Sequence, residues 1–213
     1  MDTPLLIFLH GPGQSPPVWQ DVVGAINPDQ QMVAPWLKGL KPTEHDGFNM
    51  DSAVEAILDV MEVRGVDQAD LVGFSLGGLV ALRTAMKYPQ KIRHTVLIST
   101  PMIPAQATLS RQLWMARLTP SMLFKQISKE HVVAALGALA ESDMGVDLSG
   151  LATPTLTIAA DGDPMGRASA EHLIAQAKAT KRLLPGTDPN LLKTHPAELA
   201  QLISDFCADF LDP

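Results

Sequence analysis

Cysteine is almost missing from this chain: 213 residues hold one, Cys207. A single thiol closes no internal disulfide, so the natural reading is a protein kept in a reducing compartment, and a cytoplasmic location is the expectation. Positive charge is also short. Sixteen Lys and Arg stand against 23 Asp and Glu, a net charge of −7. That balance argues against a nucleic-acid partner or an anionic membrane, because no basic stripe is present to neutralise phosphates. Long apolar runs are lacking too. The N-terminus, Met1-Asp2-Thr3-Pro4, has no basic segment, and the apolar run behind it is too short for a signal or a spanning helix. No internal repeat and no low-complexity stretch is found. No cluster of His, Cys and Asp shows metal-ligand spacing, Asp161-x-Asp163 falls far short of a calcium loop, and no dinucleotide glycine fingerprint follows a strand. Neither a metal nor a cofactor is expected.

What is present fits a packed domain. The chain is 46% hydrophobic and 18% charged, and its length suits one domain, residues 1–213, with a substantial core. One stretch organises the rest: Leu71-Val72-Gly73-Phe74-Ser75-Leu76-Gly77-Gly78. A short apolar run enters Gly-x-Ser-x-Gly, and Leu79, Leu82, Ala85 and Met86 continue at helical spacing. Strand, sharp turn and helix follow one another, with the serine at the turn. Such a turn strains the serine backbone and admits only small residues at Gly73 and Gly77. The side chain then stands at a helix N-terminus, where free N–H groups and the dipole favour negative charge.

Strand and helix signals alternate around it. Leu5 to Leu9, Met32 to Pro35, Thr95 to Ser99, Thr155 to Ala159 and Arg182 to Leu184 read as further strands. Helices are expected over Val18–Ile26, over Asp51–Arg64 with Gly65 as its stop, over Ala168–Ala179, and from Pro196 onward, where Leu199, Leu202, Ile203, Phe206 and Phe210 share a face. This alternation implies βαβ crossovers and a doubly wound, mostly parallel sheet. Residues 101 to about 150 interrupt it with two helical patterns, around Leu109–Leu118 and Val132–Leu139, among Met102, Met115, Met122, Met144, Trp114 and Phe124. Flexible methionines and aromatics suit an adaptable apolar binding surface, and equally suit plain packing.

With these motifs in this order, the chain resembles the α/β-hydrolase family over nearly its whole length. Leu5-Leu6-Ile7-Phe8-Leu9-His10-Gly11 is similar to the family's strand into the His-Gly loop, and Pro154 to Ile158 followed by Asp161-Gly162-Asp163-Pro164 is similar to the strand and loop bearing the triad acid. The resemblance implies an α/β fold of about six parallel strands, without the N-terminal hairpin of many members, and a short helical cap inserted at about 101–150. It implies Ser75 as nucleophile, Asp163 as orienting acid (Asp161 the nearby alternative), and oxyanion donors at Leu76 and in the loop Pro12-Gly13.

Two positions depart from the pattern. The family's histidine follows the last strand, about three residues past its closing Pro-Gly; here Pro185-Gly186 is followed by Thr187-Asp188-Pro189, and proline exchanges no proton. The nearest histidine, His195, is either a relocated base or a residue of the helix start. The second oxyanion donor falls on Pro12, which has no N–H, so Gly13, Gln14 or Ser15 would have to substitute. Loss of one such donor costs about 100- to 1,000-fold in rate. His10 reads as a brace of the oxyanion loop or a pocket group; His94, His131 and His172 read as packed or solvated, and His45 lies on a loop that could face the pocket. The candidate pocket comprises His10, Gln14, Phe74, Trp36, Met102 and Trp114. Three functions stay open: a small esterase-like enzyme working through Ser75 on an apolar ester, thioester or other carbonyl compound; a lyase, isomerase or cyclase using the same pocket; or a non-catalytic binder of a small apolar ligand or another protein. The oligomeric state is not legible.

Overall fold

The computed structural model describes residues 4–44, 46–102, 113–120, 129–141 and 148–208. Among these residues six strands form one sheet: β1 (Leu5–Leu9), β2 (Met32–Val33), β3 (Ala69–Phe74), β4 (Ile92–Ile98), β5 (Thr155–Ala160) and β6 (Ala179–Leu184). Their order is β2-β1-β3-β4-β5-β6, and every pairing is parallel. The expected fold class is what the structure has. Registers such as Leu9↔Gly73, Phe74↔Ile98 and Ala160↔Leu184 bring the strands' C-terminal ends to one edge. The chain winds one way from β1 to β2 and the other way from β3 onward. β1 and β3 therefore flank the switch point, where open α/β sheets leave a crevice for ligands.

The strands read as continuous apolar runs because both sheet faces are covered. Leu5, Ile7 and Leu9 point to one layer and Leu6 and Phe8 to the other, as a period of two requires. The first layer holds α2 (Met50–Arg64) and α3 (Leu76–Lys87), through Val54, Ile57, Met61, Val80 and Ala81. It also takes Val132, Ala135 and Leu136 of α4 (Lys129–Glu141) and Leu173 of α5 (Pro164–Gln176). The second holds the short α1 (Gln20–Val23), the turn α6 (Leu191–Thr194) and α7 (Pro196–Ala208), through Val22, Leu191, Leu199, Ile203 and Cys207. Helix α2 shows why its limits are readable: Asn49 Oδ1 accepts from Ser52 N–H at the start, and Gly65 takes φ 67° at the end.

Several boundaries differ from expectation. The helix expected over 18–26 is a 3-10 turn, Pro16–Trp19, and then one turn of α1, because two prolines precede it and Gly24 ends it. The second strand keeps only Met32–Val33; Pro35 has no N–H to give a ladder. Helix α5 begins at Pro164 rather than Ala168, since Asp163 caps it with proline at the first position, and it stops at Gln176 so that β6 can start at Ala179. The one-turn α6 carries no periodic signal. Of the expected helix over 109–118, residues 113–118 are helical; Leu109, Met122, Phe124, Met144, Phe210 and His45 lie outside the described residues.

Candidate active site

Ser75 sits between β3 and α3 with φ 53° and ψ −115°, a backbone that side-chain-bearing residues rarely adopt. The surroundings hold it there. Its N–H donates to Ile98 O at 3.0 Å, and its own carbonyl accepts from Gly78 N–H at 3.0 Å. The glycines leave no slack. A Cβ on Gly73 would meet Gly77 O at 2.4 Å, one on Gly77 would meet Leu9 O at 2.1 Å, and one on Gly78 would meet Thr100 Oγ1 at 1.9 Å. Helix α3 thus runs straight across the ends of β1 and β4. Ser75 Oγ makes no hydrogen bond among the described residues, and Ser75 is only half-buried.

The loop after β1 lies beside this turn. His10 is fully buried; its Nδ1 donates to Gly11 O at 3.0 Å, and its Nε2 accepts from Leu37 N–H at 3.2 Å. These partners fix the neutral Nδ1–H tautomer. Burial lowers the His10 pKa, against a smaller opposing pull from the Gly11 carbonyl. Trp36 meets its ring edge-on at 5.4 Å. With both nitrogens engaged, His10 ties the loop after β1 to the loop after β2. Gln14 Oε1 accepts from Gly11 N–H at 2.9 Å, and Gln14 N–H donates back to Gly11 O at 3.3 Å. Pro12 has no N–H. Gly13, at φ 73°, has an N–H bound to no described acceptor, as does Leu76 at the head of α3. Phe74 packs on Gly11, and Val132 of α4 lies over Gly13. Met102 is buried, with its N–H on Ser169 Oγ at 3.0 Å, whereas Trp114 is 61% exposed.

The acid and base candidates lie at the ends of β5 and β6. Asp163 Oδ1 accepts from Met165 N–H at 3.1 Å and caps α5, with Gly166 packed against its other oxygen. Asp161 Oδ1 accepts from Gly186 N–H at 2.9 Å, lacing the two loops together. His195 is half-buried at the end of α6; its Nδ1 pairs with Thr194 Oγ1 at 2.8 Å, and its Cε1 lies 4.0 Å from where a Cβ on Gly186 would be. Among the described residues neither Ser75 nor Asp163 hydrogen bonds His195. Pro189 is exposed, and its carbonyl accepts from Ser99 Oγ at 2.6 Å. Among the described residues Ser99 is the second non-glycine residue with positive φ, 45°. No signal in the sequence points to it.

At the opposite end of the sheet, ligand-type atoms of Asp70, His94 and Cys207 lie within 4.8 Å of one another, all buried. Sequence spacing misses this group because it comes from β3, β4 and α7. Asp70 is already engaged, by His94 Nδ1 at 2.9 Å and Arg93 Nε at 3.5 Å, so a cation would compete with a guanidinium. Burial, and then the Asp70 charge, push the Cys207 thiol well up and keep it protonated.

Residues 4–118 match the family model for the alpha/beta hydrolase fold, and the chain belongs to that family. It is 35% identical over 100 residues to a pimeloyl-[acyl-carrier protein] methyl ester esterase of Aromatoleum aromaticum, a match covering 47% of this chain and 38% of that protein. It is 30% identical over 101 residues to a 2-hydroxymuconate semialdehyde hydrolase of a Pseudomonas species, covering 45% and 36%. The chain thus matches well under half the length of these two curated relatives. A crystal structure of a hydrolase from Pseudomonas aeruginosa superposes with a TM-score of 0.84 at 18% identity, over 96% of this chain and 89% of that one. These two relatives are named as an esterase and a hydrolase. No helix among the described residues is long and apolar enough to cross a membrane.

Proposed function

We propose that the protein is an esterase-like hydrolase that attacks a small, largely apolar ester or thioester through Ser75, with a base poorly placed to take the serine proton. The observation that carries this reading is the Ser75 turn: a strained backbone, close packing that tolerates no side chain at Gly73, Gly77 or Gly78, and a hydroxyl with no hydrogen bond among the described residues. Strain of this kind costs about 1–3 kcal/mol, persists only where the surrounding structure over-determines it, and clusters at active sites. Ser75 Oγ would attack the carbonyl carbon, the ester C–O bond would break, and the serine proton would leave with the alcohol. Water then cleaves the acyl-serine and returns the proton. Leu76 and Gly13 offer N–H groups for the oxyanion. Helix α4, with Val132 over Gly13, would act as part of a cap across the pocket.

Proton transfer is the weak link. His195 pairs with Thr194 and Asp163 with Met165 N–H, so the pair is not assembled on Ser75. A positioned acid–base group contributes about 100- to 10,000-fold, and turnover should be slow by that margin. Pro189 at the usual base position favours one other reading, non-hydrolytic chemistry on the same pocket. Fluorophosphonate labelling, together with hydrolysis of short-chain p-nitrophenyl esters, separates the two. Labelling of the wild type that Ser75→Ala abolishes supports the serine hydrolase, and a wild type that neither labels nor turns over ends it.

A further inference from the structure

We infer that Ser99 is the positioning residue of this site, clamping the loop after β6 to the serine turn; this rests on the Ser75 reading and deepens it. Ser99 follows β4 directly, and its φ of 45° bends the chain away from the strand. Three consecutive residues then grip three parts of the site. The Ile98 carbonyl receives Ser75 N–H at 3.0 Å. The Ser99 hydroxyl donates to Pro189 O at 2.6 Å, across 90 residues of sequence. Thr100 packs against Gly78, where a Cβ would come within 1.9 Å of its Oγ1. On the far side, Ser99 N–H completes the β4–β5 ladder on Ile158 O at 2.8 Å.

A conventional backbone at Ser99 would turn the Ile98–Ser99 peptide and aim the hydroxyl elsewhere, so the strained conformer and the tether depend on each other. Residue 189 is consequently held one peptide away from the group that orients Ser75. The same tether restrains the loop leading to His195, since the Pro189 carbonyl also accepts from Leu191 N–H at 3.0 Å. Serine suits this position because its hydroxyl reaches the carbonyl and its small side chain tolerates the left-handed region better than a β-branched residue would.

Ser99→Ala removes the tether and keeps the strain, while Ser99→Gly removes both. Amide hydrogen exchange over residues 187–195, and second-order phosphonylation of Ser75, should be measured for both variants beside the wild type. Exchange in that segment should speed up at least tenfold in both, and phosphonylation should slow about tenfold. Ser99→Gly should keep the wild-type thermal midpoint or better, which separates positioning from loss of stability. Unchanged exchange in both variants overturns the clamp. Unchanged phosphonylation beside faster exchange overturns its role in positioning Ser75. If the wild type takes no label, the hydrolase reading fails by itself, and the exchange result still decides the clamp.

Discussion

The two halves of the candidate site are built by different means. Around Ser75 the backbone is in direct contact with itself: helix α3 against β1 and β4, with glycine at each crossing and everything but the serine buried. Around Pro189 and His195 the loops meet through hydrogen bonds at the surface, with Asp163 buried at the head of α5, and Pro185 and residues 186–189 lie largely in solvent. A half made by packing cannot change one residue without moving the core. A half made by surface hydrogen bonds can lose a side chain at little cost in folding. Of the two departures from the family pattern, Pro189 falls in the second half, where the fold permits it, and Pro12 falls on the partly exposed loop beside the serine turn.

The largest expected effect breaks this contrast if it fails. Gly77→Ala should destabilise by about 3 kcal/mol or more in urea unfolding, because the new Cβ meets strand backbone that cannot retreat. Its counterpart, Gly162→Ala, meets Thr187 Cγ2 at 2.7 Å and Gly186 O at 2.8 Å in an exposed loop. That change should cost about 1–2 kcal/mol, less than Gly77→Ala because both loops are exposed, yet measurable because Gly186 O is backbone. Equal losses would mean the two halves are equally rigid.

Next in size is a gain. Pro189→His should raise p-nitrophenyl ester hydrolysis about 100-fold, as a base placed beside Ser75 would, with stability within about 0.5 kcal/mol of wild type. The clamp survives the change, because Ser99 binds the residue's carbonyl. An unchanged rate would show that position 189 does not reach the serine.

Asp163→Ala should lose about 1 kcal/mol for want of a helix cap, and Asp163→Asn should recover most of it. Phosphonylation that falls in the Asn variant at unaltered stability would show the carboxylate serving chemistry as well. The smallest effect is a pH dependence. Burial holds the His10 pKa below its ordinary value of about 6.5. As pH falls through about 6.5 the unfolded chain takes up a proton that the folded protein refuses, so the contribution is full above that pH and is lost below it. The urea midpoint should drop between about pH 7.5 and about pH 5.5, and His10→Gln should flatten that part of the profile.

The same division governs what is legible in the sequence. β1, β3 and β4 stand out because strands buried on both faces have to be uninterrupted apolar runs, and the serine turn because its glycines are sterically compulsory. β6 reads short because its burial is partial, so Ala179-Thr180-Lys181 shows no apolar run. The start of α5 is hidden in plain view: Asp163 carries the signature of a triad acid and of a helix cap at once, and the first masks the second. Ser99 has no signature at all. A left-handed serine arises from what the chain meets 90 residues later, which no local pattern encodes.

The buried group of Asp70, Arg93, His94 and Cys207 bears on how the molecule is assembled in time. Arg93 reaches the Cys207 carbonyl across 114 residues, and His94 sets its ring edge against Phe206 at 5.5 Å. Before α7 docks, Val96 and Ile158 on that face of the sheet lack part of their cover, while Trp19 already packs on Phe8. Docking of α7 completes that cover and sets the Cys207 carbonyl on Arg93, so a chain lacking α7 should expose apolar surface and aggregate more readily.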